Sequence, residues 1–330
     1  MNRRSITTSL VALVSAAALT GCGVGNAVVG VQDAPAERTD VAPLNVDGAE
    51  KVASRVLDAA VAARAAKGAA AAKAQGAVLA DAALAQAQAA TRLGTVAASD
   101  PLQRASDPQV VAVSRGKAWP RAILVGTLDQ ASKTQTLHVL MSKAAADPFK
   151  IYASVAMLPG TSVPAMGDLA TGAPLVGSGS KGAMVATPAE ALTAYGAALG
   201  HPKPTPSKVV SNRDAFATAL RTSNAAQSKS LGALATLTAK HTITPRTISF
   251  QLADGGAVVF GQLNRQDVIT AKPTAKVLGI PATYNKLVGK STASKSLTIN
   301  SLESLVMIVP TQGAATVVGA DEQLVSASAK

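Results

Sequence analysis

The chain has few of the residue types that build catalytic and cofactor sites. Its 330 residues include one Cys and three His, which excludes a disulfide framework, an iron–sulfur cluster and most zinc sites. Aromatic residues make up only 2% of the sequence, which excludes large stacking surfaces. Charged residues make up 15%, and Lys and Arg (31) exceed Asp and Glu (19), for a net charge of +12. This is a basic, weakly charged protein, long enough for two domains.

The first 21 residues have the composition of a secretory signal peptide. Arg3 and Arg4 precede an apolar run from Leu10 to Leu19 that contains no acidic residue. This run is too short to cross a bilayer core of about 30 Å as a helix, which takes about 20 apolar residues. We therefore expect export. The alternatives are an ordinary signal peptide followed by a free thiol, and a short membrane helix.

The only cysteine follows this run directly, in the order Leu19, Thr20, Gly21, Cys22. The branched apolar residue at Leu19 and the small residue before the cysteine resemble the lipobox of bacterial lipoproteins. The resemblance implies that Cys22 carries a diacylglyceryl anchor and that residues 22–44 are a lipidated tether. It also implies that the cell membrane is a partner, with the mature chain held on the outer face of the cytoplasmic membrane, where each buried methylene contributes about 0.8 kcal/mol.

The first half of the mature chain changes from helical to β-rich patterns. Asn45 is a predicted N-cap, and an apolar stripe predicts a helix that ends at Lys67–Gly68. The alanine-rich segment Ala69–Leu93 predicts one or two more helices, broken at Gly76 and stopped at Gly94. Four runs separated by turns then predict an antiparallel meander, at residues 109–114, 122–128, 136–141 and 151–158.

The second half repeats this order. Thr187, Pro188 and Glu190 combine an N-cap, a first-turn proline and a capping-box glutamate, which predicts a helix that ends at Gly200. A longer helix is predicted from Asn212 to Lys240. Further strands are predicted at residues 247–252, 257–263, 297–300, 302–309 and 315–319.

Helices followed by an antiparallel sheet, twice over, predict the α+β class. Each unit resembles the nuclear-transport-factor-2-like (cystatin-like) cone, in which helices pack on a bent sheet. With the lipobox, Trp119-Pro120-Arg121 and the Thr187–Glu190 segment leading to Tyr195, the layout is similar to an uncharacterised lipoprotein family of high-GC Gram-positive bacteria with two tandem cone-like domains. The resemblance implies no established activity. It places the first domain at 45–160, a linker at 161–186 and the second domain at 187–330.

Few side chains are candidates for catalysis. The three histidines, His138, His201 and His241, lie far apart in the sequence, and we expect core, surface or helix-end positions for them. Asp267, shortly after one predicted strand, and Glu303, in another, are the carboxylates that could face a cone interior, although solvated surface positions fit them better. We therefore predict no catalytic residue, no metal site and no cofactor.

The positive charge lies mainly in the second half. Residues 22–200 contain 15 basic and 13 acidic residues, whereas residues 201–330 contain 14 and 6. Five lysines fall in a stretch without a carboxylate between Asp267 and Glu303: Lys272, Lys276, Lys286, Lys290 and Lys295. They predict a site for an anionic envelope polymer, a lipid or an envelope protein. The alternative is a long solvated loop. The compartment and the scarcity of aromatics exclude nucleic acid as a partner.

Together these features predict a non-enzymatic, lipid-anchored binding or interaction protein of the cell envelope. Two alternatives stay open at this point. The alanine- and valine-rich strands favour a carrier of a hydrophobic small molecule or lipid. A carboxylate or His138 that meets a tyrosine in one cone would instead favour a hydrolase or isomerase.

Overall fold

Helices come first in the computed structural model, which describes residues 40–94, 108–275 and 277–330. They are α1 (Val46–Ala65), α2 (Ala69–Val78) and α3 (Asp81–Leu93). The side chain of Asn45 accepts a hydrogen bond of 2.8 Å from Gly48 N, which confirms the predicted N-cap. The alanine-rich segment does form two helices, but they separate at Leu79 and not at Gly76. Leu79 is buried and forms a β-bridge with Ile151, so tertiary contact sets this break.

The predicted meander is confirmed. Its strands are β1 (Gln109–Val113), β2 (Arg121–Leu128), β3 (Gln135–Ser142) and β4 (Lys150–Ala156), which pair antiparallel in the order β1-β2-β3-β4. Both faces of β2 and β3 are buried, which explains their nearly continuous apolar sequences. One face of this sheet packs on α1 and α3, where Ala53 and Leu57 share a hydrophobic cluster with Ile123 and Leu140.

Two more helices open the second half, α4 (Pro188–Ala198) and α5 (Ala215–Leu231). The capping box of Thr187 and Glu190 is present with both hydrogen bonds, as predicted. The predicted helix from Asn212 to Lys240 is wrong in its last part. The helix ends before Gly232, whose φ of 51° favours glycine, and Ala235–Ile243 is a strand. This strand, β5, alternates buried and exposed residues as a half-covered strand should.

The second sheet is built around one long strand, β7 (Ala257–Ala271), which pairs with three others. Its first part pairs with β6 (Ile248–Gln251) and its second part with β5. On its other side lies β10 (Ser296–Val309), followed by β11 (Thr316–Ala329), all antiparallel. Residues 297–300 and 302–309 therefore belong to one continuous strand. Between β7 and β10 the chain forms the short strands β8 (Leu278–Gly279) and β9 (Thr292–Ala293) and the helix α6 (Ala282–Val288).

The layers follow the order helices, sheet, sheet, helices. Leu124 and Val139 of the first sheet share a hydrophobic cluster with Phe250 and Phe260 of the second. The opposite face of the second sheet packs on α4 and α5 through a cluster that includes Leu192. The α+β class is thus confirmed. By its contacts the chain from Asp40 to Lys330 forms one compact unit, and the division into two domains stays a prediction.

Residues 161–186, the predicted linker, contain no helix or strand but are packed. Met166 and Met184 are buried, and Leu175 forms a β-bridge with Phe250. In the part of the chain that the structure describes, no helix combines the length and the apolar character needed to span a bilayer.

Candidate functional site

Five elements meet at one end of the second sheet. The strand register places the first residue of β5 opposite the last of β7, and Leu297 near the start of β10 opposite Ala329 at the end of β11. Helix α5 ends beside the start of β5. The segment 272–295 leaves from the end of β7 and returns to the start of β10 at this same place. We call this region the basic end.

The structure describes three of the five predicted lysines fully. Lys290 and Lys295 are exposed, and Lys272 is half-buried, with Nζ donating a 3.0 Å hydrogen bond to the carbonyl oxygen of Gly232. Lys286 is a residue of α6, and Lys276 lies outside the described residues. The carbonyl group takes up part of the hydrogen-bonding capacity of Lys272 but leaves its charge in place.

Two lysines that the sequence analysis missed belong to the same end. Lys229 is exposed in the last turn of α5. Lys330 is exposed after β11, and its main chain exchanges hydrogen bonds with Ser296. Sequence alone could suggest neither, because the register of β10 on β11 and the true end of α5 decide their positions.

Residues 277–295 pack against the sheet, so this part of the chain is not a long solvated loop, and the role of its lysines stays a prediction. Leu278, Ile280 and Ala293 are buried in a cluster with Leu237 and Ile269 of the sheet. The backbone of Lys295 donates a 2.7 Å hydrogen bond to the carbonyl oxygen of Lys330, which ties the end of the segment to the sheet edge. Lys290 and Lys295 are therefore carried on a segment that packs against the sheet.

The carboxylates nearest in sequence to these lysines are directed elsewhere. Asp267 and Glu303 are 7% and 0% exposed, so the expectation of solvated surface positions for them is wrong. Their strands place them, together with three further residues, on the sheet face that α4, α5 and α6 cover. We call this set the polar cluster: His241, Arg265, Asp267, Glu303 and Glu322.

Arg265 lies at the centre of the polar cluster. Its Nε and Nη2 form a two-point contact with Asp267 at 2.9 and 2.6 Å, and its Nη1 lies 3.1 Å from Glu322 Oε2. Glu303 Oε2 lies 2.8 Å from His241 Nδ1, with both side chains fully buried. His241 was expected near a helix end but lies within β5, since α5 ends earlier than predicted.

Burial and neighbouring charges shift the pKa values of three groups in or beside the polar cluster. Burial alone would lower the pKa of the Arg265 guanidinium, but the hydrogen bond with Asp267 and the surrounding carboxylates raise it above its ordinary value. Burial raises the pKa of Glu322 against the opposing charge of Arg265. Burial, and then the charge of Asp267, raises the pKa of the Tyr284 phenol on α6. Arg265 therefore stays charged and Tyr284 stays neutral at neutral pH.

Two buried atoms of the polar cluster lack a hydrogen-bond partner among the described residues. They are His241 Nε2 and Glu303 Oε1, the latter 3.9 Å from Arg265 Nη1. Tyr195 on α4 lies near Glu303, and its phenol donates to the carboxylate of Asp214 at 3.0 and 3.1 Å. Burial, and then Asp214, raises the pKa of Tyr195.

The other two histidines have structural contacts. His138 is fully buried in β3, with Nε2 2.9 Å from Thr127 Oγ1 and Nδ1 2.8 Å from Ser154 Oγ. Burial lowers the pKa of His138 to about 3, so the ring is neutral at physiological pH. His201 Nε2 lies 2.7 Å from Ser228 Oγ. In the residues that the structure describes, no three His, Cys, Asp or Glu side chains are grouped to hold a metal ion.

Two surface cavities have partly polar linings. A cavity of about 570 Å³ lies at the end of the β2–β3 hairpin, beside Thr127 and Met157. A groove of about 400 Å³ runs between the end of α4 and β5, and His241 and Lys240 are among its lining residues. This groove opens beside His241, a residue of the polar cluster.

Comparison with family models, with curated proteins and with solved structures finds no match to this chain.

Proposed function

We propose that this chain is a non-enzymatic, lipid-anchored protein on the outer face of the cytoplasmic membrane that binds an anionic component of the cell envelope through the basic end. The observation that carries the proposal is the convergence of lysines from four parts of the second half on one sheet end. Lys229, Lys272, Lys295 and Lys330 come from α5, the two ends of the 272–295 segment and the residue after β11.

The arrangement of the carboxylates supports this proposal. No acidic residue lies between Asp267 and Glu303, and these two face Arg265 and His241 in the polar cluster. Among the described residues, no carboxylate forms an ion pair with Lys229, Lys272 or Lys295, so their field extends into solvent over about a Debye length, roughly 8 Å at physiological salt. A fixed set of such charges raises the local concentration of an anionic partner.

The test removes this charge, and equal urea midpoints of the variants and wild type check that the fold is kept. We expect substitution of five lysines by Gln to abolish salt-sensitive binding of the chain to polyphosphate, a simple anionic polymer: Lys229, Lys272, Lys290, Lys295 and Lys330. The matched control removes five exposed lysines elsewhere: Lys51, Lys67, Lys73, Lys133 and Lys181. If both variants lose binding equally, net charge and not the basic end is responsible, and the proposal fails.

The anchor has a separate test, since Cys22 lies outside the described residues. In its own host, the wild-type chain should be processed before Cys22 and carry acyl chains, detected as a mass increase of the N-terminal peptide. Cys22→Ala should remain unprocessed or unanchored. Normal acylation of that variant would overturn the lipobox interpretation.

We also propose that the two halves of the chain are tandem cone-like domains. In each half, helices cover one face of an antiparallel sheet. Register shifts between Asn300 and Ser301 and between Val306 and Met307 are irregularities of the kind that bend a sheet. A solved structure with flat sheets would contradict this part of the proposal.

A second candidate is a hydrolase or isomerase, or a carrier, that uses the covered face of the second sheet. The observation in its favour is the polar cluster, with its unpartnered His241 Nε2 and Glu303 Oε1 and with the groove beside His241. Native mass spectrometry of the chain released from its own host would detect a bound small molecule of reproducible mass. An empty chain there would count against this candidate and leave the basic end as the binding site.

A further inference from the structure

The basic end also carries the most exposed large apolar side chains of the described residues. Leu234 is 55% exposed and Val277 is 58% exposed. The other two in this class, Trp119 and Leu128, are 37% and 39% exposed and belong to the region of the first sheet. Isolated exposed apolar residues are common on protein surfaces, so their location matters more than their number.

Leu234 is held in a turn that is hydrogen-bonded to Lys272. The backbone of Lys272 donates a 2.8 Å hydrogen bond to the carbonyl oxygen of Leu234, and the side chain of Thr274 donates one of 3.0 Å to that of Ala233. The side chain of Lys272 bonds Gly232 in the same turn. These bonds hold residues 232–234 against residues 272–274, so Leu234 is exposed on a fixed tip. Val277 follows three residues after Thr274 and directly precedes the buried Leu278.

The combination of charge and apolar surface selects the partner. An anionic polymer satisfies lysines but gives Leu234 and Val277 no apolar environment. An anionic lipid bilayer satisfies both, because its headgroups attract lysines and its acyl boundary accepts apolar side chains. Lysine side chains suit this boundary, since their methylene stems lie along apolar surface while the ammonium group stays among the headgroups.

We infer that the anionic component bound by the basic end is the lipid bilayer itself, with Leu234 and Val277 inserted at the headgroup–acyl boundary. This inference rests on the proposed function. It adds a second attachment to the membrane besides the lipid at Cys22. The tethered body would then lie against the bilayer with one defined face.

The experiment uses the chain from Gly23 to Lys330, which keeps the whole compact unit and lacks the anchor. Co-sedimentation is measured with vesicles of phosphatidylcholine and phosphatidylglycerol, with vesicles of phosphatidylcholine alone, and in parallel with polyphosphate. Wild type should bind the mixed vesicles and should bind phosphatidylcholine alone at least tenfold more weakly, because one or two lysines at an anionic surface are enough for a factor of about ten. The Leu234→Ser, Val277→Ser double variant should bind the mixed vesicles about tenfold more weakly and polyphosphate unchanged.

Leu128→Ser is the control for loss of an exposed apolar side chain away from the basic end, and it should bind like wild type. If the double variant binds mixed vesicles as wild type does, or if the chain binds polyphosphate but no vesicles, the bilayer inference fails and the proposed function stands. If wild type binds neither mixed vesicles nor polyphosphate, both fail. Equal urea midpoints of the variants and wild type establish that folding is unchanged.

Discussion

Asp321 offers a direct test of how the two sheets are joined. It lies in β11, and its Oδ2 accepts a 2.7 Å hydrogen bond from the backbone N–H of Ala156, the last residue of β4. Burial raises the pKa of Asp321 to about 7, from an ordinary value of 3.8, although the N–H of Ala156 acts in the opposite direction. The folded chain therefore binds a proton at this carboxyl group more tightly than the unfolded chain does.

The direction of the pH effect follows from this difference. Below about pH 3 the carboxyl group is protonated in both states and costs nothing. Between this pH and about 7, the Asp321 carboxyl group ionises in the unfolded chain but stays largely protonated in the folded chain, so the folded state loses stability. Above pH 7 the group is ionised in both states, and the full destabilisation is present. The pKa difference sets an upper limit of about 4 kcal/mol. Because the side chain is only partly shielded from water, we expect about 1–2 kcal/mol.

Asp321→Asn keeps an acceptor oxygen for Ala156 N–H and removes the ionisation. In urea unfolding at about pH 8, the variant should be more stable than wild type by about 1–2 kcal/mol, and the difference should vanish near pH 3. Asp58→Asn, at an exposed position in α1, is the control and should change stability little at either pH. A variant that is less stable than wild type at pH 8, or a difference that does not depend on pH, would refute the reasoning.

Three further predictions concern packing, charge and capping, each measured as the urea midpoint. A Cβ at Gly261 would overlap both methyl groups of the buried Leu192, so Gly261→Ala should lower the free energy of unfolding by about 1–3 kcal/mol. The double variant Gly261→Ala, Leu192→Ala should lose less than the sum of the two single variants, because the smaller side chain makes room for the new methyl group. Additive losses would show that the two residues do not touch. Glu303→Leu should cost about 3 kcal/mol, because it leaves His241 Nδ1 buried without its partner; an unchanged midpoint would contradict the pairing. Thr187→Ala should cost about 1 kcal/mol through loss of the N-cap, and no loss would mean that the cap contributes nothing.

Local signals in the sequence predicted the helix starts and most strands well. Asn45 and Thr187 cap their helices because their side chains satisfy nearby N–H groups, an effect that needs only a few consecutive residues. The error at Asn212–Lys240 had a visible signal. Gly232 interrupts the pattern, and from Ala235 apolar residues alternate with Thr and Lys at a period of two, which is typical of a strand.

The polar cluster could not be predicted in the same way. His241, Arg265, Glu303 and Glu322 come from four strands, and they meet only because of the register between those strands. A carboxylate in a strand looks the same in sequence whether it faces water or a buried arginine. Lys272, Lys290 and Lys295 could be singled out because they are close in sequence, whereas Lys229 and Lys330 join them only through the fold. That these lysines bind an anionic partner stays a prediction.

The contact between the sheets has a consequence for folding during export. Ala156 and Asp321 are 165 positions apart, and Leu158 N bonds Val318 O across the same boundary. If the chain crosses the membrane from its N-terminus, as its first residues predict, the first sheet reaches the outside long before β11, the strand of the second sheet that bonds Ala156 and Leu158. Its apolar face must stay uncovered during that interval, and contacts of such long range form slowly. A temporary cover, from a folding factor or from the membrane surface itself, would shorten the period in which this face is open to aggregation.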